Sequence, residues 1–256
     1  MNDARDKAER ILNAVMPVPP FPTADPAMFY GLPGEIVEAI DPYTEACKPA
    51  VLVTLLSGAG AMIGRGPHTV AGLARHPASV WGLLVGGTAL GAKGTAHAAA
   101  RLFLREADPD FMRYNVMPSV STGEGVISRV RDASEAEDKD GNPLDKGVDD
   151  KRLWIVVPEF RTVIAQTRRE SNTLSAVLRD AWDSPDLLMV PNRGDNAYRA
   201  TEPHIVMMGH VTPGEFRGKV DPAEIAGGTL NRFLVIASRE SKDLPDEREF
   251  PADRLR

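Results

Sequence analysis

The stretch from Val80 to Ala100 constrains the fold of this chain more than any other. An apolar run over residues 80–85 is followed by a glycine-rich loop and then by a segment rich in alanine and leucine. The first run has the length of a buried strand, and the last favours a helix. Glycines between them allow backbone N–H groups to turn inward around an anion, and the helix N-terminus adds a positive dipole end. The stretch therefore predicts a phosphate-binding loop between a central strand and a helix.

The loop departs from the usual phosphate-loop pattern in two places. That pattern is G-x-x-x-x-G-K-[ST], in which the lysine reaches the β- and γ-phosphates and the hydroxyl binds Mg²⁺. When the chain is aligned on its lysine, an alanine replaces the second glycine and the hydroxyl comes one residue late. The predicted nucleotide-binding residues are Gly87, Gly91, Ala92, Lys93, Gly94 and Thr95.

Composition bounds the class of protein. With 256 residues, 43% of them hydrophobic and 26% charged, the chain is long enough for one large α/β domain. The formal net charge of −6 argues against a generally basic nucleic-acid-binding surface and leaves a local basic groove open. The single cysteine, Cys47, excludes an internal disulfide framework. The N-terminus has no leader-like apolar core and no apolar run reaches membrane-spanning length, so we expect a cytoplasmic protein without a membrane partner.

Further apolar runs predict the rest of the sheet. Residues 153–157 and 204–208 are short and almost wholly apolar, and residues 233–237 form a last strand. Apolar runs bounded by helices are typical of a mainly parallel sheet covered on both faces. The fold class indicated is therefore α/β, with a central sheet flanked by helices and preceded by a small helical N-terminal region.

We expect three regions along the chain. Residues 1–71 would form a helical region with a proline-rich strap, residues 72–238 the α/β core, and residues 239–256 a charged tail. Residues 71–77 are expected to form a polar approach to the loop strand. The acidic segment 132–152 lacks apolar periodicity and is expected to be an exposed hairpin or a mobile insert.

Apolar periodicity and turn signals predict the remaining elements. The expected helices span residues 2–16, 32–40, 44–63, 96–106, 126–132, 160–167, 173–182, 213–219 and 222–226; a short strand is expected at 115–120, and a hairpin should join 187–190 to the segment around 198–200.

Glu124 lies in the sequence STGEG at residues 121–125, between a predicted strand and a predicted helix. The two glycines make this corner tight and flexible, so that it presents a carboxylate at a strand end. The alternative interpretation carries equal weight. In it, Ser121 or Thr122 caps the helix, and Glu124 complements the helix dipole.

Nucleoside triphosphate hydrolysis needs a phosphate cradle, a divalent metal, a group that orients water and cations that neutralise the transition state. Either Glu124 or Glu159, at strand ends, is predicted to orient water, and His210 or Thr212 is predicted to sense the γ-phosphate. Arg232 is predicted to stabilise charge, either within the chain or across a subunit boundary. Thr95 and Glu159 would bind Mg²⁺. Simpler interpretations remain open, because Arg232 could be a salt-bridge partner and His210 a hydrogen-bonded edge residue.

Several short motifs, taken in order, resemble one family. The chain is similar to the P-loop, RecA-like ATPases found beside or fused to primase-polymerase domains in phages, plasmids and integrated elements. The resemblance extends from about residue 21 to residue 237. The motifs that carry it are Phe21–Thr23, Gly31–Gly34, Gly64–Pro67, Ala74–Pro77, Val85–Thr95, Ser121–Gly125, Pro158–Phe160, Asn172–Ser175, Ala181–Asp183, Gly209–Thr212 and Asn231–Phe233.

The resemblance implies a helicase-like ATPase associated with DNA replication of a phage or mobile element, with ATP and Mg²⁺ as cofactors. It implies that Glu124 is the catalytic glutamate and that Glu159 belongs to the Walker B strand. A ring or dimer of identical chains is expected, with single-stranded DNA and a primase or other replication protein as candidate partners.

The chain also departs from the family pattern. Family members tend to carry an acidic residue where Val157 stands and a basic or polar residue where Gly87 stands. Two alternatives therefore stay open. One is a non-catalytic nucleotide-binding scaffold or regulatory subunit of a phage-encoded complex. The other is a nucleotide kinase, suggested by residues 93–95, although an arginine-rich lid is not evident.

Overall fold

The computed structural model describes residues 20–169, 172–183, 185–190, 198–219, 228–246 and 249–255. The helices predicted at residues 2–16 and 222–226 lie outside these ranges, as does the connection within the predicted hairpin.

The described helices flank a central sheet. None of them is both long and apolar enough to cross a membrane. The helices are α1 (Gly31–Ile40), α2 (Lys48–Ile63), α3 (Lys93–Ala107), α4 (Pro109–Tyr114), α5 (Gly123–Ser128), α6 (Arg161–Thr167), α7 (Leu174–Trp182) and α8 (Pro213–Lys219).

The strands form one five-stranded sheet and two separate hairpins. The strands are β1 (His68–Ala71), β2 (Ala74–Pro77), β3 (Gly82–Val85), β4 (Val116–Met117), β5 (Arg152–Val157), β6 (Leu187–Val190), β7 (Tyr198–Thr201), β8 (His204–Val211) and β9 (Leu234–Ala237).

The five-stranded sheet has the order β4-β5-β8-β3-β9, and every neighbouring pair is parallel. This confirms the α/β class with a parallel sheet. All eight residues of β8 are buried, as expected for a strand covered on both faces. β8 runs three residues beyond the predicted 204–208, because the ladder with β3 continues as far as the pair Val85 and Val211.

The two faces of β3 are covered by different parts of the chain. A Cβ atom at Gly82 would lie 2.9 Å from Val53 on α2. The next residue, Leu83, points to the other face, where it and Phe160, just before α6, lie beside Gly209. Because successive strand residues face opposite sides of a sheet, the sheet is enclosed between two helical layers.

Helix α2 lies within the helix predicted at residues 44–63, and most of its residues are buried. The indole nitrogen of Trp154 on β5 donates to the hydroxyl of Ser57 at 3.1 Å, which satisfies both buried polar groups. Gly60 brings the helix so close to the segment before β3 that a Cβ atom there would lie 2.0 Å from the Ala78 carbonyl oxygen. The helix belongs to the same hydrophobic cluster as the central sheet.

The polar approach expected at residues 71–77 is part of a hairpin. β1 and β2 form an antiparallel hairpin that turns at Gly72, where φ is +62°. The sequence does not predict this hairpin, because its residues are exposed on both faces and its strands therefore show no apolar alternation. Leu73, at its tip, is fully exposed. The expected boundary after residue 71 falls at this tip, whereas α2, before it, packs in the common core.

The acidic segment 132–152 shows only an isolated antiparallel bridge, between Glu137 and Pro143. Ion pairs hold it together and tie it to the domain. Lys151 contacts Asp132 at 2.9 Å and so joins the two ends of the segment. Arg131, just before the segment, contacts the Asp145 carboxylate at 2.6 Å, and Arg199 on β7 contacts Glu135 at 2.7 Å. Its hydrogen bonds are therefore largely local and electrostatic, which explains the lack of apolar periodicity.

We predict that Gly60→Ala destabilises the fold, because the new methyl group would overlap a backbone carbonyl that no side-chain rotation can move away. The free energy of unfolding should fall by about 2 kcal/mol or more in a urea titration. Gly214→Ala is the matched control, since a Cβ atom there meets nothing within 4 Å. Equal stability of the two variants would contradict the close packing of α2.

Candidate functional site

The predicted phosphate loop lies where the connections of the sheet diverge. After β3 the chain passes β8 and β5 to reach β4, whereas after β8 it passes β3 to reach β9. β3 and β8 are neighbours, so the connections that leave their carboxyl ends run in opposite directions. Open parallel sheets bind ligands in the crevice at such a switch point.

Close backbone packing shapes the loop. A Cβ atom at Gly86 would lie 2.4 Å from the Ser238 carbonyl oxygen, and one at Gly91 would lie 2.4 Å from the Gly87 carbonyl oxygen. The Gly91 N–H donates to this Gly87 oxygen at 3.1 Å. A Cβ atom at Gly87 itself would meet nothing within 4 Å. Gly86, which the motif alignment left out, is therefore a required glycine, and Gly87 is not.

Residues after β9 donate hydrogen bonds to the loop. The buried hydroxyl of Ser238 donates to the Gly91 carbonyl oxygen at 2.5 Å, and the Glu240 N–H donates to the Leu90 carbonyl oxygen at 2.9 Å. The first residues of the expected charged tail are thus part of the loop's support. Short-range sequence patterns could not show this contact, because about 150 residues separate its partners.

Lys93 is the first residue of α3, and its ammonium group lies against the loop. It donates to the carbonyl oxygens of Gly86 at 2.6 Å and Gly87 at 2.8 Å. Burial lowers the pKa of Lys93, and the nearby carboxylate of Glu215 opposes this shift. An ammonium group held in this way can pass its hydrogen bonds from loop carbonyls to an arriving phosphate.

Ala92 adopts the conformation for which the usual pattern has a glycine. Its φ and ψ are 44° and 27°, in the left-handed region, immediately before α3. A residue with a side chain pays roughly 1–2 kcal/mol for this conformation. Backbone strain of this kind is often found at ligand-binding sites.

The first turn of α3 provides few groups for a metal ion. A Cβ atom at Gly94 would point into open space, and Thr95 is exposed. Among the described residues, no group of three or more His, Cys, Asp or Glu side chains could hold a cation. The part of the chain that the structure describes therefore contains no cluster of side chains that could by itself enclose Mg²⁺. Because Mg²⁺ often binds proteins through one or two side chains plus substrate phosphates, Thr95 and Glu159 remain the predicted ligands.

Charged side chains form a row across the carboxyl ends of β5, β8 and β3. Arg161, at the start of α6, contacts Glu159 at 3.0 Å and Glu215, on α8, at 3.4 Å. Glu215 in turn acts on Lys93 through its charge. Two carboxylates and two cations thus lie along the crevice beside the loop.

Sequence reasoning missed Glu215, although a signal was present. Residues 212–215 have the T-x-x-E spacing of a capping box. The Glu215 carboxylate accepts hydrogen bonds from the Thr212 N–H at 3.2 Å and from its hydroxyl at 2.9 Å. The Glu215 N–H returns a bond to this hydroxyl at 3.3 Å. The box fixes Glu215 at the carboxyl end of β8, next to the loop.

His210 is not at the open edge. Its side chain is buried, and its ring lies 6.2 Å from that of His97, on α3, in an edge-to-face arrangement. Burial lowers the pKa of each histidine to about 4, so both rings are neutral at pH 7. Lys93 adds to this shift at His210. The ring therefore offers no positive charge to a γ-phosphate, whereas Thr212, after it, is partly exposed.

Glu124 lies at the far side of the sheet. Two strands separate β4 from β3, which places them roughly 14 Å apart laterally. Thr122 caps α5 by accepting from the Gly125 N–H at 3.1 Å, as the helix-cap interpretation predicts. Glu124 accepts from the hydroxyl of Thr173 at 3.1 Å. The structure thus brings Glu124 into contact with Thr173, immediately before α7.

Arg232 lies at the opposite ends of the strands. Leu234, two residues later, pairs with Gly82 at the start of β3, whereas the loop follows the end of β3. The guanidinium group of Arg232 contacts Asp183 at 3.5 Å and stacks on Trp182. Contact with a nucleotide at the loop of the same chain is not compatible with this position. Contact across a subunit boundary stays a prediction.

A separate cleft of about 630 Å³ lies at the amino ends of β4 and β5. Its arginines are engaged within the chain. Arg152 binds Asp150 at 2.7 Å, and Arg129 donates to the Tyr114 carbonyl oxygen at 2.6 Å. The cleft and the loop lie at opposite edges of the sheet.

Comparison of the sequence with protein-family models and with curated proteins finds no match.

We predict that His210 makes stability depend on pH. Its pKa is about 4 in the folded chain, against 6.5 as the ordinary value, so the unfolded chain binds more protons between these pH values. Stability should therefore fall as the pH decreases from 6.5 towards 4, by about 2 kcal/mol at pH 5 from this histidine alone.

Urea titrations at pH 7 and pH 5 test this expectation. His210→Gln should reduce the difference between the two pH values, whereas His76→Gln, on the exposed hairpin, should leave it unchanged. His97 should still contribute in this variant, so only a difference in His210→Gln as large as in the wild type would show that His210 is not held neutral by burial.

Proposed function

We propose that this chain binds ATP through the loop at residues 86–95 and hydrolyses it, as a helicase-like ATPase associated with DNA replication of a phage or mobile element. One observation carries the proposal. The ammonium group of Lys93 lies inside a closely packed glycine loop, between the carboxyl end of the central strand β3 and the N-terminus of α3.

Each part of this arrangement has a role in binding phosphate. The N–H groups at the start of α3 and the helix dipole attract the phosphates. Lys93 adds a positive charge that can move from the carbonyl oxygens of Gly86 and Gly87 to phosphate oxygens. Magnesium, when bound with the triphosphate, supplies further neutralisation of phosphate charge.

Glu159 is the better placed of the two predicted catalytic glutamates. It follows β5, which only β8 separates from β3, whereas Glu124 follows β4 at the sheet edge. Its carboxylate is 64% exposed and lies in the row of charges beside Lys93. We assign Glu159 the task of orienting the attacking water. Glu124 is assigned to the interface of α5 and α7.

The proposed assembly is a ring or dimer of identical chains. Arg232 lies far from the loop of its own chain, so any contact that it makes with a bound nucleotide would be with that of a neighbouring subunit. Single-stranded DNA and a primase or other replication protein are the proposed partners, on the resemblance of the sequence motifs.

A non-catalytic scaffold or regulatory subunit is the second candidate. Gly94 stands where the pattern places the metal-binding hydroxyl, and Val157, at the end of β5, is buried and apolar. Both departures reduce the number of ligands for Mg²⁺ without disturbing the phosphate loop. They favour a chain that binds nucleotide without turning it over.

We predict that Glu159→Gln reduces ATP turnover at least tenfold, because a neutral amide orients and polarises water less well than a carboxylate. Glu124→Gln, the matched control, should keep turnover within about threefold of wild type. Phosphate release under saturating ATP and Mg²⁺ measures both, with single-stranded DNA present and absent.

Stimulation of wild-type turnover by DNA would support the replication motor. Binding of ATP without turnover, in either condition, would instead identify the scaffold. Full turnover in Glu159→Gln would remove Glu159 from the mechanism.

A further inference from the structure

The arginine predicted to stabilise the transition state lies at the wrong edge of the sheet to act within its own chain. Phosphoryl transfer nevertheless requires cations around the γ-phosphate, since negative charge is redistributed over its oxygens and the leaving oxygen. Lys93 accounts for one cation at the loop. The crevice beside the loop contains a second, Arg161.

Arg161 is held in the crevice by two carboxylates from different strand ends. Its Nη2 atom lies 3.0 Å from Oε2 of Glu159, and its Nε atom lies 3.4 Å from Oε1 of Glu215. The turn that carries it is fixed in place, because the Thr162 hydroxyl and N–H both donate to the Glu159 carbonyl oxygen, at 2.7 and 2.9 Å. The position of the guanidinium group is therefore set by the end of β5 and not by a flexible loop.

The side chain of Arg161 keeps an accessible surface. It is 46% exposed, although it contacts both glutamates. A guanidinium group has five N–H donors, and these two ion pairs use two of its three nitrogens. Arg161 can therefore donate a hydrogen bond to a phosphate oxygen, either in addition to its two carboxylate contacts or in place of one of them.

Charge balance favours this exchange when a triphosphate arrives. Glu215 acts electrostatically on Lys93 and contacts Arg161, so it is the carboxylate shared by both cations. A triphosphate at the loop brings several negative charges next to Glu215. When Arg161 moves from its contact with Glu215 to a position between Glu215 and the terminal phosphate, its positive charge offsets the repulsion between these two anions. The cap on Thr212 keeps Glu215 in place during the exchange.

We propose that Arg161 is a second cation, beside Lys93, that contacts the terminal phosphate of bound ATP and stabilises its charge during hydrolysis. The inference rests on the proposed ATPase function. In the reaction, the water oxygen bonds to the γ-phosphorus and the bond to the bridging oxygen breaks. ADP leaves with that electron pair, and the proton of water passes to phosphate or solvent. Arg161 transfers no proton and acts only through its charge and hydrogen bonds.

Arg161→Ala should lower turnover at least about a hundredfold, the usual effect of losing one well-placed donor to a transition state. Affinity for a non-hydrolysable ATP analogue should fall about tenfold, whereas ADP affinity should change less than threefold, since ADP lacks the contacted group. Arg161→Lys should recover part of the loss. Glu215→Gln, which can still form the capping box, should raise affinity for the ATP analogue about threefold or more.

Arg217→Ala is the matched control, because Arg217 is an exposed arginine on α8, two residues from Glu215 and hence on another side of the helix. It should leave turnover, affinity for the ATP analogue and affinity for ADP all within threefold of wild type. Unchanged turnover in Arg161→Ala, with nucleotide binding that still requires Lys93, would overturn this inference alone. Failure of the wild-type chain to bind either nucleotide would overturn the proposed function as well.

Discussion

The parallel pairing of β3 with β8 on one side and β9 on the other is the constraint on which the rest of the site depends. It brings the carboxyl ends of three strands together, so that Gly86, Thr212 and Ser238 follow neighbouring strands at one edge of the sheet. Ser238 then fixes the loop through the Gly91 carbonyl, and the cap on Thr212 fixes Glu215. Loss of this pairing would separate the loop from the charges that face it.

Much of this architecture could be predicted, because buried parallel strands are apolar and because the residues of a glycine loop are adjacent in the sequence. Apolar runs predict the strands β3, β5 and β8, and the spacing between lysine and glycines predicts Lys93. The β1 and β2 hairpin could not be found in this way, since both of its faces are exposed.

The composition of the charged site was harder to predict, because it depends on strand order. Nothing local distinguishes Glu159 from Glu124, yet β5 lies next to β8 whereas β4 lies at the edge. Arg232 precedes its strand and therefore falls at the amino end, while Arg161 follows β5 and falls at the carboxyl end. Gly86 falls outside the motif alignment, which begins one residue later. Its requirement comes from contact with Ser238, a residue distant in sequence.

The central claim is that Lys93 and the glycine loop form a nucleotide-binding site, and binding of ATP to the wild-type and Lys93→Ala proteins tests it most directly. Isothermal titration calorimetry in the presence of Mg²⁺ should show binding to the wild-type chain and at least a tenfold loss of affinity in the variant. Lys146→Ala, at an exposed lysine in the acidic segment, should bind as the wild type does. Equal affinity in Lys93→Ala and wild type, or no binding by either, would contradict the account.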